Sequence, residues 1–252
     1  MLKAVLFDLD NTLIHFSERM FFESYLSKVP KAFADIMPRD VFVGKLLSST
    51  QALMRNNGEM LNVDYFMNLF SAGYEERRSE LWSRFMTFYE TEYDQFKAIM
   101  SRSHGVQEVI LRLKENGVKI VIASNPIWPL NVQMKRLSWA GLEDIEFDLV
   151  THIGNMSYCK PHIEYYQEVC QRIDEGPEVC LMVGNDPVND MVVSKIGMRT
   201  YLVTEGATDE SALELSRSVR IETPGEIPEP DFKGPLSRVP DAVEALLGKN
   251  RG

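Results

Sequence analysis

Two carboxylates stand one residue apart at the end of the first apolar segment of the chain. Residues 3–7 read as a buried strand, which is followed by Asp8 and Asp10 and then by Asn11 and Thr12. Because an unpaired buried carboxylate carries a large desolvation penalty, the pair predicts a bound cation, a hydrogen-bond network or an open cleft. An ordinary turn would also explain these residues, since Asp and Asn are common in turns.

Three later apolar segments also end in polar side chains that suit chemistry. Ser124 and Asn125 follow one of them, and Asn185 and Asp186 follow another, with Asp190 four residues later, whereas the segment that ends at residue 151 leads through a loop to Lys160. Parallel strands bring their carboxyl ends to one edge of a sheet, so these side chains are expected to cluster with the two carboxylates of the first segment. Carboxylates, a hydroxyl, an amide and an ammonium together match phosphoryl transfer, which needs charge neutralisation, donors to the phosphate oxygens and an attacking carboxylate.

Each of these later motifs also has a purely structural explanation. Ser124 and Asn125 fit the capping positions before a helix. Lys160 precedes a proline, which is a common way for a helix to begin, and Asp186 with Asp190 would suit the first turn of a helix. The structural explanations have to hold at all three places at once, so the joint pattern favours a functional site.

The elements that must position these residues alternate between strands and helices from residue 105 onward. Strands are predicted at 118–123, 147–151, 179–184 and 200–203, and helices at 106–116, 129–140, 162–173, 188–196 and 241–247. This alternation predicts right-handed crossovers and a doubly wound parallel sheet, that is, an α/β fold. Residues 221–235, which contain four prolines, are predicted to be a surface excursion rather than an element.

Residues 16–102 show helical periodicity and no convincing strand, so they are predicted to form a helical insert. Ser17 and Asn62 are predicted helix caps, Pro38 a first-turn proline, and residues 75–100 one long helical segment. The insert carries sixteen of the aromatic residues and seven of the methionines. Aromatic side chains at helical spacing usually face a core, so a small core of its own is predicted in preference to an apolar substrate pocket or a dimer face.

Bulk composition restricts the class of protein and of partner. The 252 residues carry a formal net charge of -10, which argues against nucleic acid or an anionic membrane as a partner, because both require a basic surface. No apolar run approaches the roughly eighteen residues that cross a bilayer, and the first residues lack signal-peptide features. Cys159, Cys170 and Cys180 show no CxxC spacing and are expected to be reduced core thiols, so a cytoplasmic protein is predicted.

In this order and at these strand ends, the motifs resemble the four signature motifs of the haloacid dehalogenase superfamily. The matching residues are Asp8-Leu9-Asp10-Asn11-Thr12, Ser124, Lys160 before proline, and Asp186 with Asp190. One class of that family carries a helical cap between its first and second motifs, where the insert of this chain lies. The resemblance therefore implies a Rossmann-like catalytic core of residues 1–15 and 103–252, with an all-helical cap domain of residues 16–102.

The resemblance also implies a role for each matched residue. Asp8 would attack phosphorus and form an aspartyl-phosphate, and Asp10 would protonate the leaving alcohol and later deprotonate the attacking water. The phosphate-binding residues would be Asn11, Thr12, Ser124, Asn125 and Lys160. The implied cofactor is Mg²⁺, which prefers oxygen ligands and keeps waters. Its ligands would be Asp8, the Asp10 carbonyl, Asp186 and Asp190, the last either directly or by bonding to metal-bound water or to Lys160.

The fourth motif departs from the usual family pattern. Many relatives have Gly-Asp there, whereas this chain has Gly184, Asn185 and Asp186. Aligning Asp186 with the family aspartate keeps Asp190 at a spacing that the family also uses, and Asn185 then replaces only the glycine. Aligning Asn185 instead would remove one negative charge from the metal site.

The presence of Asp10 bears on the reaction, because relatives that dehalogenate 2-haloacids or cleave phosphonates generally lack an acid there. The predicted function is therefore Mg²⁺-dependent hydrolysis of a small phosphorylated metabolite, a phosphate monoester, by a monomer or homodimer. A phosphomutase would keep the same aspartates, and a non-catalytic phosphate- or partner-binding module is a third possibility. The basic residues of the insert form no compact motif for a second phosphate, so they are predicted to lie on solvated helix faces.

Overall fold

The structure is a computed structural model that describes residues 1–205 and 228–248. Within these residues the strands are β1 Ala4–Phe7, β2 Ile14–His15, β3 Ser101–Arg102, β4 Lys119–Ile122, β5 Leu149–Val150, β6 Cys180–Gly184, β7 Arg199–Val203 and β8 Phe232–Gly234. Six of them form one sheet in the order β5, β4, β1, β6, β7, β8, and every neighbouring pair is parallel. β2 and β3 pair with each other in antiparallel fashion.

After residue 105 the α-helices occur where the alternating pattern predicts them, and four more lie in the insert. Those described are α1 Glu18–Lys28, α2 Arg39–Leu53, α3 Asn62–Phe70, α4 Arg78–Thr91, α5 Val106–Glu115, α6 Leu130–Trp139, α7 Ile163–Ile173, α8 Pro187–Asp190 and α9 Val239–Leu246. The predicted doubly wound α/β sheet is confirmed. The helix predicted at 188–196 is shorter than expected: α8 ends at Asp190 and a 3₁₀ helix, Met191–Ile196, follows, as 3₁₀ turns often do at the end of a helix.

β1 is a central strand, and its end carries the first motif to the edge of the sheet. All four of its residues are fully buried between β4 and β6, as expected of a continuous apolar run in a parallel sheet. The backbone ladder continues past the strand, because the amide of Asp8 donates to the carbonyl of Val183 at 2.9 Å and the amide of Ala123 donates to that of Phe7 at 2.7 Å. Asp8 is therefore fixed by the backbone where three neighbouring strands end.

The prediction that residues 221–235 form a surface excursion is wrong for their last part. β8 pairs parallel with β7 and extends the sheet by one strand. Asp231 supports this pairing, since its carboxylate accepts a hydrogen bond from the Thr200 amide at 2.9 Å. The flanking prolines lie outside the strand, so they remove no donor from the ladder, while residues 221–227 lie outside the described residues.

The predicted helix starts in residues 16–102 are partly right. Ser17 caps α1, since its hydroxyl accepts an amide hydrogen bond at 3.3 Å. Pro38 directly precedes α2 instead of lying in its first turn. Asn62 is the first residue of α3 rather than its cap, because its side chain accepts a hydrogen bond from Asn56 at 2.9 Å and so serves a different contact.

The segment 75–100, predicted as one helical segment, is divided in the structure. The 3₁₀ helices Glu75–Arg77 and Tyr93–Ile99 flank α4. β3 follows directly, and its pairing with β2 was not predicted, because a strand of two residues is too short to show an alternating pattern. The β2–β3 ribbon joins the points where the chain enters and leaves the insert, and the division into a core and a cap domain stays a prediction.

The aromatic side chains of the insert pack together as predicted, but their core is not separate from the rest of the protein. The ring of Phe85 lies 4.7 Å from that of Phe33 and 5.0 Å from that of Phe70 between centroids. The same cluster includes residues outside the insert, namely Trp128, Val132, Ile153 and Cys159. The ring of Tyr25, for example, meets that of Trp128 edge to face at 5.4 Å. Apolar packing therefore joins the insert to the elements that follow β4.

The three cysteines are buried and carry free thiols, as predicted. Burial raises the pKa of the Cys159 thiol, which keeps its sulfur protonated and unreactive. Within the described ranges, no helix has the length and apolar character that crossing a bilayer requires.

Candidate active site

A pocket of about 170 Å³ lies at the carboxyl ends of β1, β4 and β6. The predicted site residues on its wall are Asp8, Asp10, Ser124, Asn125, Lys160, Asp186 and Asp190. Side chains of the insert, among them Phe22, Leu47 and Met54, complete the wall. The parallel topology thus brings the endings of separate segments into one place, as the strand pattern predicts.

Lys160 bridges two carboxylates inside this pocket. Its Nζ atom donates to Asp8 Oδ1 at 2.8 Å and to Asp190 Oδ1 at 2.7 Å. Only 1% of Lys160 is exposed and Asp190 is fully buried, so both hydrogen bonds lie in a region of low dielectric, where charge-assisted bonds are strong. The ammonium therefore holds both carboxylates in place. The residue lies in the loop before α7, and its peptide bond to Pro161 is cis.

Lys160 is charged and lies between two acids, Asp8 and Asp190, whose pKa values are raised. Burial raises the pKa of Asp8 to about 7, while Lys160 opposes the rise and Asp190 adds to it. Burial also raises the pKa of Asp190, again against the effect of Lys160. Burial alone would lower the pKa of Lys160, but the two carboxylates hold it well above its usual range. The ammonium of Lys160 consequently stays charged between the two acids.

Asp186 is positioned by the helix that it begins. Its Oδ1 atom accepts from the amides of Val188 and Asn189 at 2.9 and 3.1 Å, and its Oδ2 accepts from Asn189 Nδ2 at 2.8 Å. The capping explanation therefore holds for Asp186, although the same residue also lines the pocket. Gly184 is required nearby, because a Cβ atom added there would come within 2.1 Å of Asp190 Oδ2.

Asn11 and Thr12 are not among the residues that line the pocket. Asn11 has a left-handed backbone with φ 56°, and its Oδ1 accepts from the Phe16 amide at 3.1 Å. Thr12 is fully buried, with its hydroxyl 3.3 Å from Asp8 Oδ2 and 3.1 Å from Asn185 Oδ1, and a single proton serves one acceptor at a time. Both side chains stabilise the turn of the first motif, and their predicted contact with phosphate stays a prediction.

Two hydroxyl groups fix the backbone of the second motif, Ser124 and Asn125, by hydrogen bonds. The carbonyl of Ser124 accepts from Thr151 Oγ1 at 2.7 Å and from the Tyr165 hydroxyl at 2.8 Å. The neighbouring Asn125 has its Nδ2 atom 3.6 Å from Met54 Sδ, and its buried Oδ1 finds no hydrogen-bond partner in the described part of the chain. A serine hydroxyl and an amide at this edge of the pocket are suitable donors for the oxygens of a bound oxyanion.

Arg136 belongs to the site but was not singled out from the sequence. α6 carries it to the pocket, where its guanidinium forms an ion pair with Asp10 and only 1% of the residue is exposed. The guanidinium carbon lies 5.4 Å from the ring centroid of Phe16 and 5.9 Å from that of Trp128. Burial alone would lower the pKa of Arg136, but Asp10 raises it above its ordinary value. Arg136 is thus a permanent cation beside the second carboxylate.

The pocket carries an excess of negative charge that suits a divalent cation. Four aspartates and Glu18 line it against two cations, Lys160 and Arg136, and each cation is paired with at least one of the aspartates. Among the residues described, no three His, Cys, Asp or Glu side chains are grouped as a metal site. The predicted Mg²⁺ site needs only two carboxylate ligands, Asp8 and Asp186, and the backbone carbonyl of Asp10, because Mg²⁺ usually keeps several waters. The oxygen donors present therefore fit Mg²⁺ better than a metal that requires a complete protein cage.

Known proteins resemble this chain over almost its whole length. It is 26% identical to pyrophosphatase PpaX of Bacillus cereus (strain Q1), with 99% of each chain covered. Its fold is similar to that of L-2-haloacid dehalogenase from Xanthobacter autotrophicus, at a TM-score of 0.57 and 19% identity over 98% of this chain and 100% of that one. A HAD phosphatase from Thermococcus onnurineus gives a TM-score of 0.54 at 18% identity, with both chains fully covered. At such identities the two structures support the fold alone.

The family match is more specific than these individual similarities. The sequence profile of the haloacid dehalogenase-like hydrolases matches residues 2–192, which is well over half of the chain. This span begins before Asp8 and ends after Asp190, so it contains all four motifs whose side chains the structure brings to one edge of the sheet. The chain therefore belongs to the haloacid dehalogenase-like hydrolases.

Proposed function

We propose that the protein is a Mg²⁺-dependent phosphatase that hydrolyses a phosphate monoester of a small molecule through an aspartyl-phosphate on Asp8. The observation that carries the proposal is the pairing of two nearby carboxylates with different cations. Asp8 accepts a hydrogen bond from Lys160 at 2.8 Å, whereas Asp10 forms an ion pair with Arg136 in the same pocket. The two carboxylates thus have different surroundings, as the division between a nucleophile and an acid–base residue requires.

In the first step an oxygen of Asp8 attacks phosphorus, and the bond between phosphorus and the leaving oxygen breaks. Asp10, protonated for this step, gives its proton to that oxygen, so that the alcohol leaves as a neutral molecule. Lys160 neutralises charge on the phosphoryl group, and Ser124 and Asn125 donate to its oxygens. The result is an acyl phosphate on the first aspartate of the motif.

In the second step water attacks the phosphorus of the aspartyl-phosphate, and the bond between phosphorus and the Asp8 oxygen breaks. Asp10 accepts the proton of this water, and inorganic phosphate leaves. The guanidinium of Arg136 would orient the Asp10 carboxylate for this step, since the two form an ion pair in the pocket. Asp10 therefore has to leave this ion pair, or share it, when it acts as the acid in the first step.

The bound metal would meet the charge requirement of this site. Asp8, Asp186 and the carbonyl of Asp10 would hold Mg²⁺, which would supply the positive charge that lets a phosphate dianion bind beside several carboxylates. We expect dialysis against EDTA to lower phosphate release from methyl phosphate by about 100-fold or more, since a catalytic metal contributes several kcal/mol to the transition state. Added Mg²⁺ should restore the rate, as measured by colorimetric phosphate assay. EDTA already saturated with Mg²⁺ is the control, and undiminished turnover of the dialysed protein would contradict the metal requirement.

Pyrophosphate is a second candidate substrate, because pyrophosphatase PpaX is similar to this chain over its full length. Its leaving group would be a second phosphate, which needs cations on the side of the pocket away from Asp8. Among the described residues that line the pocket, only Lys160 and Arg136 are cationic, and both are paired with aspartates. This favours a monoester with an uncharged leaving group. Rates of phosphate release from pyrophosphate and from a panel of monoesters, measured side by side, decide between the two.

A phosphomutase would have to hold a second phosphate in the same cleft. The insert has eleven basic residues, and none of them is among the described residues that line the pocket: Arg19, Lys28, Lys31, Arg39, Lys45, Arg55, Arg77, Arg78, Arg84, Lys97 and Arg102. Arg84 instead pairs with Asp35 and Glu80 near the surface. This favours hydrolysis over phosphoryl transfer to a second hydroxyl. A non-catalytic binding module, the third possibility, would have no use for an aspartate nucleophile beside an aspartate acid.

Arg136→Met is expected to lower kcat for an alkyl phosphate by about 10- to 100-fold, a part of the roughly 10²- to 10⁴-fold that general acid–base catalysis contributes. Methionine keeps apolar contact with Phe16 and Trp128 but removes the cation that orients Asp10. The loss should be much smaller for p-nitrophenyl phosphate, whose leaving group needs little protonation. Steady-state kinetics on the two esters measures this difference.

A second arginine provides the matched control for this variant. Arg172 pairs with Glu168 on the surface of α7 and lies away from the pocket, so Arg172→Met should leave the rates for both esters unchanged. Equal losses on the two esters in Arg136→Met would show that Arg136 supports only the shape of the pocket and does not orient Asp10.

A further inference from the structure

A second cavity of about 80 Å³ adjoins the catalytic pocket. α2 and α4 supply much of its wall, and residues 127–129 close it on the side of the sheet. Four residues line both spaces, namely Phe22, Leu47, Ile127 and Trp128. These shared side chains place the two spaces side by side, so a substrate whose phosphate lies near the aspartates has this cavity as its direct neighbour.

The side-chain oxygens on the wall of this cavity are already hydrogen-bonded. The hydroxyls of Tyr25 and Tyr89 bond to each other at 2.8 Å. Thr50 donates to the carbonyl of Leu46, within its own helix, also at 2.8 Å. In the described part of the chain no charged side chain lines the cavity. A charged or strongly polar ligand group would lose its water here without compensation, whereas an apolar group gains from burial.

The catalytic pocket offers little to a second charged group of the substrate. Its cations among the described lining residues are Lys160, which bonds to Asp8 and Asp190, and Arg136, which pairs with Asp10. A second phosphate or a carboxylate on the leaving group would meet five acidic side chains, Glu18 among them, against these two cations, although Arg136 keeps its Nε and Nη1 atoms without a hydrogen-bond partner among the described residues. The charges of the catalytic pocket and the apolar wall of the second cavity thus both favour a leaving group without charge.

We propose that the apolar cavity binds an alkyl group of the leaving alcohol, so that the substrate is a short-chain alkyl phosphate rather than pyrophosphate or a sugar phosphate. This inference rests on the proposed phosphatase function and adds the class of substrate. At about 80 Å³ the cavity is roughly half the size of an apolar cavity of about 150 Å³ that binds benzene, which favours a short chain over an aromatic ring.

The test is a homologous series of methyl, ethyl, propyl and butyl phosphate. We expect kcat/KM to rise about fourfold per added methylene, the factor that corresponds to about 0.8 kcal/mol, until the cavity is full. Calorimetric binding of the matching alkylphosphonates, whose carbon–phosphorus bond a phosphatase does not cleave, should show the same rise in affinity. A flat series in both measurements, or kcat/KM for pyrophosphate above that for butyl phosphate, would overturn the alkyl site.

Two substitutions on α2 distinguish the effect of filling the cavity from general effects on the protein. Thr50→Leu places a larger side chain in the cavity and should reduce the ratio of kcat/KM for butyl over methyl phosphate from about 60-fold to below about 5-fold. Ser48 also bonds a carbonyl of its own helix but is exposed, so Ser48→Leu should leave this ratio unchanged. An unchanged ratio in Thr50→Leu would contradict the proposal.

The two measurements also distinguish the two proposals from each other. Phosphonate affinity that rises with chain length in a protein that releases no phosphate from any ester would overturn the phosphatase function alone. Phosphate release at one common kcat/KM, with phosphonate affinities that do not depend on chain length, would overturn the alkyl site alone.

Discussion

Asp8→Asn is expected to abolish the hydrolysis of every phosphate ester, with a loss in kcat of about 10⁴-fold or more, as is usual when a nucleophile is removed. The amide keeps the size of the side chain but is a far poorer nucleophile, so that no acyl phosphate forms. The fold should not suffer, because burial is the main cause that raises the pKa of Asp8 to about 7, and the folded protein therefore disfavours its charge. An uncharged Asn removes this cost, while Lys160 keeps Asp190 as a partner at 2.7 Å.

Three measurements check this expectation. Phosphate release gives the rate, thermal unfolding gives the stability, and rapid quenching with a substrate labelled in its phosphoryl group gives the covalent intermediate. The parent should retain label on the protein and Asp8→Asn should retain none. Asp94→Asn is a suitable control, since Asp94 forms an exposed ion pair with Lys135 at 2.9 Å and should be dispensable. Turnover of Asp8→Asn near the parent rate would contradict the assignment of the nucleophile.

The sheet could be predicted because a parallel strand buried on both faces leaves a strong signal. β1, with four fully buried apolar residues, and β6 follow this rule, and each crossover between parallel strands requires a helix that shows its own periodicity. β8 leaves no such signal, because three residues at the edge of a sheet show neither length nor alternation. Its position depends on Asp231 and on stacking of Phe232 against Tyr201 at 6.4 Å, contacts that no local pattern indicates.

The clustering of the site could be predicted for the same reason, since topology alone brings strand endings together. Arg136 could not be predicted in this way, because it belongs to a helix and not to a strand ending. One feature of the sequence does indicate it: Arg136 lies four residues after Val132, on the buried face of α6, where an apolar residue is usual. That pattern indicates a buried arginine but not its partner. Asp10 becomes the partner only through the way α6 packs beside the first motif.

The aromatic residues of the insert show a different limit of sequence interpretation. Core packing and the lining of an apolar cavity do not exclude each other, since Phe85 and Tyr89 pack in the shared aromatic cluster and also line the second cavity. Composition and periodicity predict that a helix buries its aromatic face. They do not predict whether neighbouring helices close completely, and the space beside Trp128 depends on that closure.

Lys160→Met is expected to remove activity and to lower the free energy of unfolding by about 3–5 kcal/mol, the usual cost when one partner of a buried ion pair is removed. Methionine fills much of the same volume, so the loss is electrostatic: Asp8 and Asp190 would remain buried without the ammonium that now lies 2.8 and 2.7 Å from them. Urea unfolding in EDTA, followed by circular dichroism, measures this loss without a contribution from metal. Lys119→Met is the control, since Lys119 pairs with Glu175 near the surface and such a pair contributes about 1 kcal/mol or less.

A second substitution distinguishes charge from shape as the cause of the loss. Adding Asp190→Asn to Lys160→Met removes one of the two acids left without the ammonium, and the amide oxygen can still accept the hydrogen bond that Asp190 Oδ2 receives from the Asp186 amide at 3.1 Å. The double variant should therefore regain a large part of the lost stability, whereas its activity should stay absent because the phosphoryl group still lacks the ammonium. A single variant as stable as the parent would show that the two acids share a proton instead of depending on Lys160. A double variant no more stable than the single one would show that packing around the lysine stem, not its charge, stabilises this part of the fold.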